Sequence, residues 1–393
     1  MAKLTLRDVD LKGKKVLVRV DFNVPQDENL NISDDTRIKA TLETLQYILK
    51  QNASKVILIS HLGRPKGKVV EKYSLKPVAK RLSDLLGEPV KFLGNCVGEE
   101  TEEEIQGTKE KVVLLENLRF HPQEEANDSE FAKQLASLAD IFINDAFGTA
   151  HRAHASTEGV THYIKSAAGF LLEKEIKYLG SVIKDPRKPF MVILGGAKVS
   201  DKIGVIENLL PMSDAILIGG GMSYTFLKAQ GKTIGKSKLE EDKLDLARSL
   251  LDKAKSLNKE IVLPIDHIVV DEIKPDANKQ EAGENIPQGK IAVDIGAKTI
   301  ALFKEKLKIA KTVLWNGPMG IFEMDAFSIG TKEIAKFITT LEATTIIGGG
   351  DTAAAVAKFK LEDKMTHIST GGGASLEFLE GKILPGIAAL SEK

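Results

Sequence analysis

Short apolar runs rich in β-branched residues recur along the chain and are separated by segments with helical periodicity. In the first half these runs occupy residues 16–20, 56–59, 112–115 and 141–143. In the second half they occupy residues 191–194, 215–218, 261–263, 312–314 and 345–347. Such runs are typical of strands buried on both faces of a parallel sheet, and their alternation with helices predicts an α/β protein with doubly wound sheets.

Two helical segments help to divide the chain. One carries an apolar stripe over residues 38–49 and has a start signal at Asp34, Asp35 and Thr36. The other covers residues 171–183, contains few glycines and ends near Asp185 and Pro186. Since 393 residues suffice for two domains, we expect this second segment to join them as a helix.

The overall charge excludes some classes of function. Lys plus Arg and Asp plus Glu both total 55, which argues against a general nucleic-acid-binding surface. The single cysteine, Cys96, excludes an intramolecular disulfide. No signal peptide or membrane-spanning run is evident, so we expect a cytoplasmic protein without nucleic-acid or membrane partners.

Cationic and polar side chains follow the predicted strands of the first half. In open parallel sheets, ligands bind at the carboxyl ends of the strands. The candidates are Asp21, Asn23, Arg37, His61, Arg64, Arg119 and Arg152. Guanidinium groups bind phosphate and carboxylate through paired, charge-assisted hydrogen bonds, so the cluster favours a small polyanion. The alternative is a set of exposed arginines in unrelated loops.

Glycines take this place in the second half, at residues 195–196, 219–221, 348–350 and 371–373. Glycines between a strand and a helix allow phosphates to approach backbone amides. The alternative is a set of tight turns without a ligand. Neither a Walker A loop nor a good Gly-x-Gly-x-x-Gly fingerprint is present, so a nucleotide would be held differently from both common classes.

Three charged positions in the second half have more than one interpretation. Lys198 and Lys202 are spaced i, i+4, so one helical face can carry both, and either could neutralise a phosphoryl group. Asp351 could hold Mg²⁺ bound to nucleotide phosphates or simply cap a helix. Glu323 could bind ribose hydroxyls, although composition alone favours a structural loop for the segment 315–323.

Several segments together resemble the phosphoglycerate kinase family, in order and spacing, across nearly the whole chain. They are residues 18–25, 60–65, 116–121, 195–202, 315–323 and 348–352. The resemblance implies two doubly wound domains that face each other across a cleft and are joined by a helix. It implies residues 1–172 and 186–379 as the domains, 173–185 as the connecting helix, and 380–393 folded back onto the first domain.

The resemblance also implies the reaction, which is reversible phosphoryl transfer between 1,3-bisphosphoglycerate and ADP in glycolysis, carried out by a monomer with Mg²⁺. The implied phosphoglycerate-binding residues are Asp21, Phe22, Asn23, Arg37, His61, Leu62, Gly63, Arg64, Arg119 and Arg152. The implied nucleotide-binding residues are Gly196, Lys198, Lys202, Gly220, Ala292, Asn316, Pro318, Glu323, Gly349, Gly350, Asp351 and Thr352.

We expect four positions to act in the transfer step itself and Asp351 to hold the metal. Arg37, Lys202, Gly372 and Gly373 would surround the migrating group. The chain departs from the family pattern at Ala292, where a glycine is common beside adenine, and at Ala297, where a proline is frequent.

Two other functions remain open from the residues alone. An NAD-dependent dehydrogenase shares the sheet architecture, although the fingerprint loop and its ribose-binding acid are missing. A non-catalytic anion-binding protein fits the arginines but gives no role to the glycines of the second half.

Overall fold

The computed structural model describes residues 3–393, which form two compact units. The first unit extends to Lys177 and also includes Ile383–Lys393; the second is Tyr178–Lys382. The boundary therefore falls inside a helix, Phe170–Lys184, that belongs partly to each unit. No helix among residues 3–393 has both the length and the hydropathy needed to cross a membrane.

The first unit is built on a parallel six-stranded sheet. Its strands are β1 Lys15–Arg19, β2 Lys55–Ile59, β3 Val90–Leu93, β4 Val112–Leu115, β5 Ile141–Asn144 and β6 Ser166–Ala168. Their order in the sheet is β3-β4-β2-β1-β5-β6. The helices are α1 Thr36–Lys50, α2 Lys76–Leu86, α3 Glu99–Gly107, α4 Pro122–Glu125, α5 Ser129–Ser137 and α6 Phe170–Lys184.

Both faces of this sheet are buried, as the apolar runs predict. Val16 and Val18 belong to one hydrophobic cluster, whereas Leu17 between them belongs to another on the opposite face. Because side chains alternate along a strand, burial on both faces requires a continuous apolar run. Helix α1 begins at Thr36, directly after Asp35, at the start signal seen in the sequence.

The second unit contains another parallel six-stranded sheet. Its strands are β7 Phe190–Leu194, β8 Ala215–Ile218, β9 Glu260–Val262, β13 Thr312–Asn316, β14 Thr344–Gly348 and β15 His367–Ile368, in the order β15-β14-β13-β7-β8-β9. The helices are α7 Ile203–Leu209, α8 Met222–Ala229, α9 Leu244–Ser256, α10 Ala297–Leu307, α11 Ile329–Ile338, α12 Gly350–Lys358 and α13 Gly373–Leu379. The last helix of the chain, α14 Pro385–Ala388, belongs to the first unit.

An antiparallel three-stranded sheet accompanies the second parallel sheet and is not anticipated from the sequence. It comprises β10 Asp266–Val270, β11 Gln280–Gly283 and β12 Ile291–Ile295, with β10 in the centre. The residues of β11 are mostly exposed and polar, so this strand lacks the apolar signal that marks the others. The predicted class, with two parallel-sheet α/β domains, is confirmed.

Candidate active site

The loops that follow β1 and β2 meet at the carboxyl edge of the first sheet, because these two strands are neighbours. The buried Phe22 donates its N–H to Ser60 Oγ at 2.9 Å. Asn23 Oδ1 accepts a hydrogen bond of 2.9 Å from the Gly63 N–H. A Cβ at Gly63 would lie 2.3 Å from the Tyr73 ring, and its φ is +63°, so only glycine fits there.

The predicted arginines differ in burial at this edge. Arg37 is partly exposed and forms an ion pair with Asp21. Arg119 is only 4% exposed and donates to the Gly63 carbonyl at 2.8 Å. Burial lowers the pKa of Arg119 to about 10, although the nearby Glu125 carboxylate opposes this effect. Arg119 thus stays charged at neutral pH, and the fold holds its guanidinium beside the glycine turn.

The two remaining predicted arginines differ in exposure and in their contacts. Arg152 donates its Nε–H to His151 at 3.2 Å, and its charge acts on Arg119. Arg64 is exposed, and no ion pair holds it among residues 3–393. The charges of Arg37 and Arg119 therefore act on His61, and the charge of Arg152 acts on Arg119, whereas Arg64 is exposed.

His61 is buried and neutral in this setting. Burial lowers the pKa of His61 well below its ordinary value, and the charges of Arg19, Arg119 and Arg37 lower it further. Arg19 Nη2 lies 3.2 Å from His61 Nδ1. Because a guanidinium only donates, His61 Nδ1 is the acceptor, which leaves Nε2–H as a donor for an anion.

Three buried residues behind His61 are missing from the sequence-based set. Arg19 is fully buried and donates to Ser156 Oγ at 2.8 Å. Ser156 in turn donates to the fully buried Glu124 at 2.6 Å, and Glu124 lies 3.7 Å from His154. The sequence signal for this network is the charged Arg19 inside the otherwise apolar run of residues 16–20, since a buried charge requires a partner.

Two adjoining cavities lie at the carboxyl edge of the second parallel sheet, where the glycine turns end. A polar cavity of about 600 Å³ is lined by Gly196, Lys198, Lys202, Asn316, Gly349, Gly350, Asp351, Thr352, Gly372 and Gly373. A more apolar cavity of about 480 Å³ is lined by Gly196, Gly220, Ala292, Pro318, Glu323 and Asp351. Together they account for every nucleotide-binding residue implied by the resemblance.

Lys202 and Lys198 both line the polar cavity, but in different environments. Lys202 is 9% exposed and donates to Asn316 Oδ1. Burial lowers the pKa of Lys202, and Asp201, Asp351 and Glu380 partly compensate. Lys198 is exposed. The expectation that one helical face carries both is wrong, because α7 begins only at Ile203.

The start of α12 forms the wall between the two cavities. Gly349, with φ +86°, occupies the N-cap position, so the interpretation of Asp351 as an N-cap is wrong. Asp351 lies in the first turn of α12 and is exposed towards both cavities. Thr352 is buried, and its hydroxyl accepts a 2.6 Å hydrogen bond from the Gly317 N–H. An exposed carboxylate oxygen suits a hard cation such as Mg²⁺.

The more apolar cavity has the character of a site for a planar base. Val293 and Ile321 line it, together with the almost fully buried Tyr224, which the sequence analysis did not select. The Glu323 carboxylate is exposed at this cavity. Lys358 of α12 donates to the carbonyls of Phe322 and Glu323 at 2.9 and 3.0 Å, which fixes the backbone that carries Glu323.

The positions implied in transfer are divided between the units. Arg37 belongs to the first unit, whereas Lys202, Gly372 and Gly373 belong to the second. Gly372, with φ +52°, precedes α13 and lines the polar cavity. A sheet edge rich in arginines and a sheet edge with backbone-lined cavities together define a two-domain α/β phosphotransferase that uses a nucleotide.

The comparisons with known proteins identify the family. The family model described as phosphoglycerate kinase matches residues 6–382. A phosphoglycerate kinase from Dictyoglomus turgidum is 59% identical over 399 residues, covering 100% of both chains. One from Pelotomaculum thermopropionicum is 56% identical over 395 residues, again covering 100% of both.

Solved structures agree with this assignment. The phosphoglycerate kinase from Coxiella burnetii is 42% identical, with a TM-score of 0.90 over 98% of both chains. The one from Pyrococcus horikoshii is 33% identical, with a TM-score of 0.85 over 98% of both. The chain belongs to the phosphoglycerate kinase family. It is therefore a glycolytic kinase that transfers a phosphoryl group to the carboxyl group of 3-phosphoglycerate, which decides against the dehydrogenase and the non-catalytic binding protein.

Proposed function

We propose that the first unit binds 3-phosphoglycerate or 1,3-bisphosphoglycerate and that the second binds ATP or ADP. The observation that supports this division is the contrast between the two sheet edges. The first offers guanidinium groups and the neutral His61, which suit a small phosphorylated acid. The second offers backbone-lined cavities with one buried ammonium group, which suit a polyphosphate and a base.

In the first unit, the ligand's phosphate binds to Arg64, Arg119, Arg152 and the His61 Nε2–H. Its hydroxyl and carboxylate meet Asp21, Asn23 and Arg37. The backbone of Phe22, Leu62 and Gly63 shapes the pocket, because the hydrogen bonds at Phe22 and Gly63 join the loops that follow β1 and β2.

In the second unit, the base occupies the apolar cavity beside Ala292 and Pro318, and Glu323 binds the ribose. The phosphates occupy the polar cavity, where Lys198, Lys202 and the amides of 349–352 surround them. Asp351 would hold Mg²⁺, which would offset the negative charge of the nucleotide phosphates.

The transfer step needs charge stabilisation rather than a general base. A carboxylate oxygen of 3-phosphoglycerate forms the new bond to the γ-phosphorus of ATP while the bond to ADP breaks. Arg37, Lys202 and the amides of Gly372 and Gly373 stabilise the equatorial oxygens of the migrating group. The reverse reaction passes through the same arrangement.

Transfer also requires the two ligands to meet and water to be excluded. We propose a hinge-bending closure, with α6 as the element common to both units. We further propose that the protein works as a cytoplasmic monomer; a relative from Arabidopsis thaliana, 57% identical over 394 residues, is named phosphoglycerate kinase 3, cytosolic.

The deciding experiment measures 1,3-bisphosphoglycerate formed from ATP, Mg²⁺ and 3-phosphoglycerate by the purified chain. Small-angle scattering then compares the free protein, each single complex and the complex with both ligands. We expect the greatest compaction with both ligands together. Identical scattering profiles for all liganded states would count against closure.

A further inference from the structure

The segment of residues 195–202, which we call the lysine loop, joins β7 to α7 and carries Gly196, Lys198 and Lys202. It has no regular secondary structure, because α7 begins only at Ile203. A segment of this kind keeps one conformation only where contacts from elsewhere fix its backbone groups. The contacts that fix the lysine loop are therefore relevant to both lysines.

Glu240 makes a concentrated set of such contacts. One of its carboxylate oxygens accepts hydrogen bonds from the N–H groups of Val199 and, at 3.2 Å, Ser200. The other oxygen accepts the Ser200 hydroxyl proton. The turn held in this way closes with a 2.8 Å hydrogen bond from the Lys202 N–H to the Val199 carbonyl. One carboxylate thus fixes the backbone immediately before Lys202.

Glu240 is itself anchored to the wall of the apolar cavity. Its N–H donates to Thr225 Oγ1 at 3.3 Å, and Thr225 is a buried residue of α8. The same helix carries Tyr224, which lines that cavity. Glu240 therefore connects the lysine loop to the element beside the proposed base.

The charge state of Glu240 agrees with this role. Burial alone would raise the pKa of its carboxyl group, but the hydrogen bonds from Ser200 and Val199 outweigh burial and leave the pKa below its ordinary value. The carboxylate is thus ionised at neutral pH and makes charge-assisted hydrogen bonds. A negative charge beside the lysine loop opposes the binding of an anion. The favourable contribution of Glu240 to nucleotide binding is therefore the conformation that it gives the loop.

We propose that Glu240 is a positioning residue for phosphoryl transfer. It holds the lysine loop in the conformation that presents Lys198 and Lys202 to the nucleotide phosphates. This inference rests on the proposed nucleotide site. Glu240 has no contact with the reacting atoms and acts only through the loop.

Three variants test the proposal by steady-state kinetics with ATP and 3-phosphoglycerate. We expect Glu240→Ala to lower kcat/KM for ATP by about 10- to 100-fold, since hydrogen bonds to charged groups are worth that much, while the KM for 3-phosphoglycerate stays unchanged. Glu240→Gln should remain within about threefold of the wild type, because its carbonyl oxygen accepts both N–H groups and its NH₂ can donate to Ser200. Glu241→Ala is the matched control; it removes an exposed neighbouring carboxylate and should leave the kinetics unchanged.

Hydrogen exchange of the Val199 and Ser200 amides, measured without nucleotide, tests the contact separately from the proposed function. Glu240→Ala should accelerate exchange at both amides without accelerating it in β7. If exchange accelerates but kcat/KM for ATP stays within twofold of the wild type, the positioning role is wrong. If Lys202→Ala also leaves kcat/KM unchanged, the nucleotide site itself is wrong.

A fourth variant covers the case in which Glu240→Ala does not fold. Ser200→Ala removes one of the three donors and should lower kcat/KM for ATP by about threefold. Wild-type kinetics in Ser200→Ala would then overturn the proposal. So would a Glu240→Gln variant in which kcat/KM for 3-phosphoglycerate and kcat/KM for ATP fall equally.

Discussion

Replacing Lys202 with methionine removes a buried positive charge while keeping most of the side-chain volume. At an effective dielectric constant of about 20, two unit charges 4 Å apart attract each other by about 4 kcal/mol. Lys202 is 9% exposed and already held by Asn316, so little of this attraction is lost to water or to rearrangement. We therefore expect Lys202→Met to lower kcat by about 10³-fold, comparable to the loss of a preorganised oxyanion donor.

Lys198→Met is the matched control, because Lys198 lines the same cavity but is exposed. Water weakens the attraction between an exposed ammonium group and a phosphate about fourfold relative to the buried case. Removing Lys198 should therefore lower kcat/KM for ATP by only about fivefold. This loss should appear mainly in the KM for ATP, since an exposed side chain contributes similarly to the ground state and the transition state.

The assay follows 1,3-bisphosphoglycerate through its reduction by glyceraldehyde-3-phosphate dehydrogenase, with NADH absorbance as the signal. 3-Phosphoglycerate is saturating and ATP is varied, so that kcat and the KM for ATP are both obtained. Thermal unfolding of each variant shows whether the fold is intact. Equal losses for the two methionine variants would refute the reasoning from burial. So would a Lys202→Met variant that keeps more than about a tenth of the wild-type kcat.

Three further substitutions test other parts of the account. Arg37→Ala should lower turnover by roughly 10²–10³-fold while the Kd for ATP, measured by calorimetry, changes little; near-normal turnover would remove Arg37 from the transfer step. Burial raises the pKa of Asp145 from 3.8 to about 6, so its ionisation costs the folded state stability as pH rises through this range. The free energy of unfolding of Asp145→Asn, relative to that of the wild type, should therefore rise by up to about 3 kcal/mol between pH 4 and pH 8. A difference from the wild type that stays constant across that range in urea denaturation would contradict this. Gly350→Ala should fold normally, because a Cβ there meets no atom within 4 Å. It should weaken ATP binding by about tenfold, because the added methyl group takes space that a phosphate would occupy. An unchanged affinity for ATP would show that the phosphates do not bind beside Gly350.

The completely buried strands could be predicted because their own residues carry the signal. β4 and β8 coincide with the apolar runs, β2 and β7 begin one residue earlier than theirs, and β1 is shifted by one residue at both ends. β3 and β11 lack a continuous apolar run, because their residues are partly exposed. Pairing with neighbouring strands stabilises them, and pairing depends on distant parts of the chain.

The same distinction separates the predicted from the unpredicted site residues. Arg119 can be predicted from its place near the end of β4, whereas Arg37 lies at the start of α1 and joins the site through its ion pair with Asp21. The role of Glu124 depends on Arg19, which is more than a hundred residues away and is linked to it through Ser156. Likewise, Lys202 and Lys198 look equivalent in sequence until β7 and β13 pair and bring Asn316 to Lys202.

The glycines of the second unit, which the sequence presents as one signal, have three different physical causes. A Cβ at Gly195 would lie 2.1 Å from the Pro318 carbonyl, and one at Gly317 would lie 2.2 Å from the Gly195 carbonyl. These two glycines are required because the loops that follow β7 and β13 pack backbone against backbone. In contrast, a Cβ at Gly196, Gly350 or Gly372 meets no protein atom within 4 Å, although all three line the polar cavity. At Gly196 and Gly372 the positive φ already favours glycine. At Gly350 neither packing nor backbone conformation demands it, so the space left for a phosphate is the physical reason that remains for a glycine there.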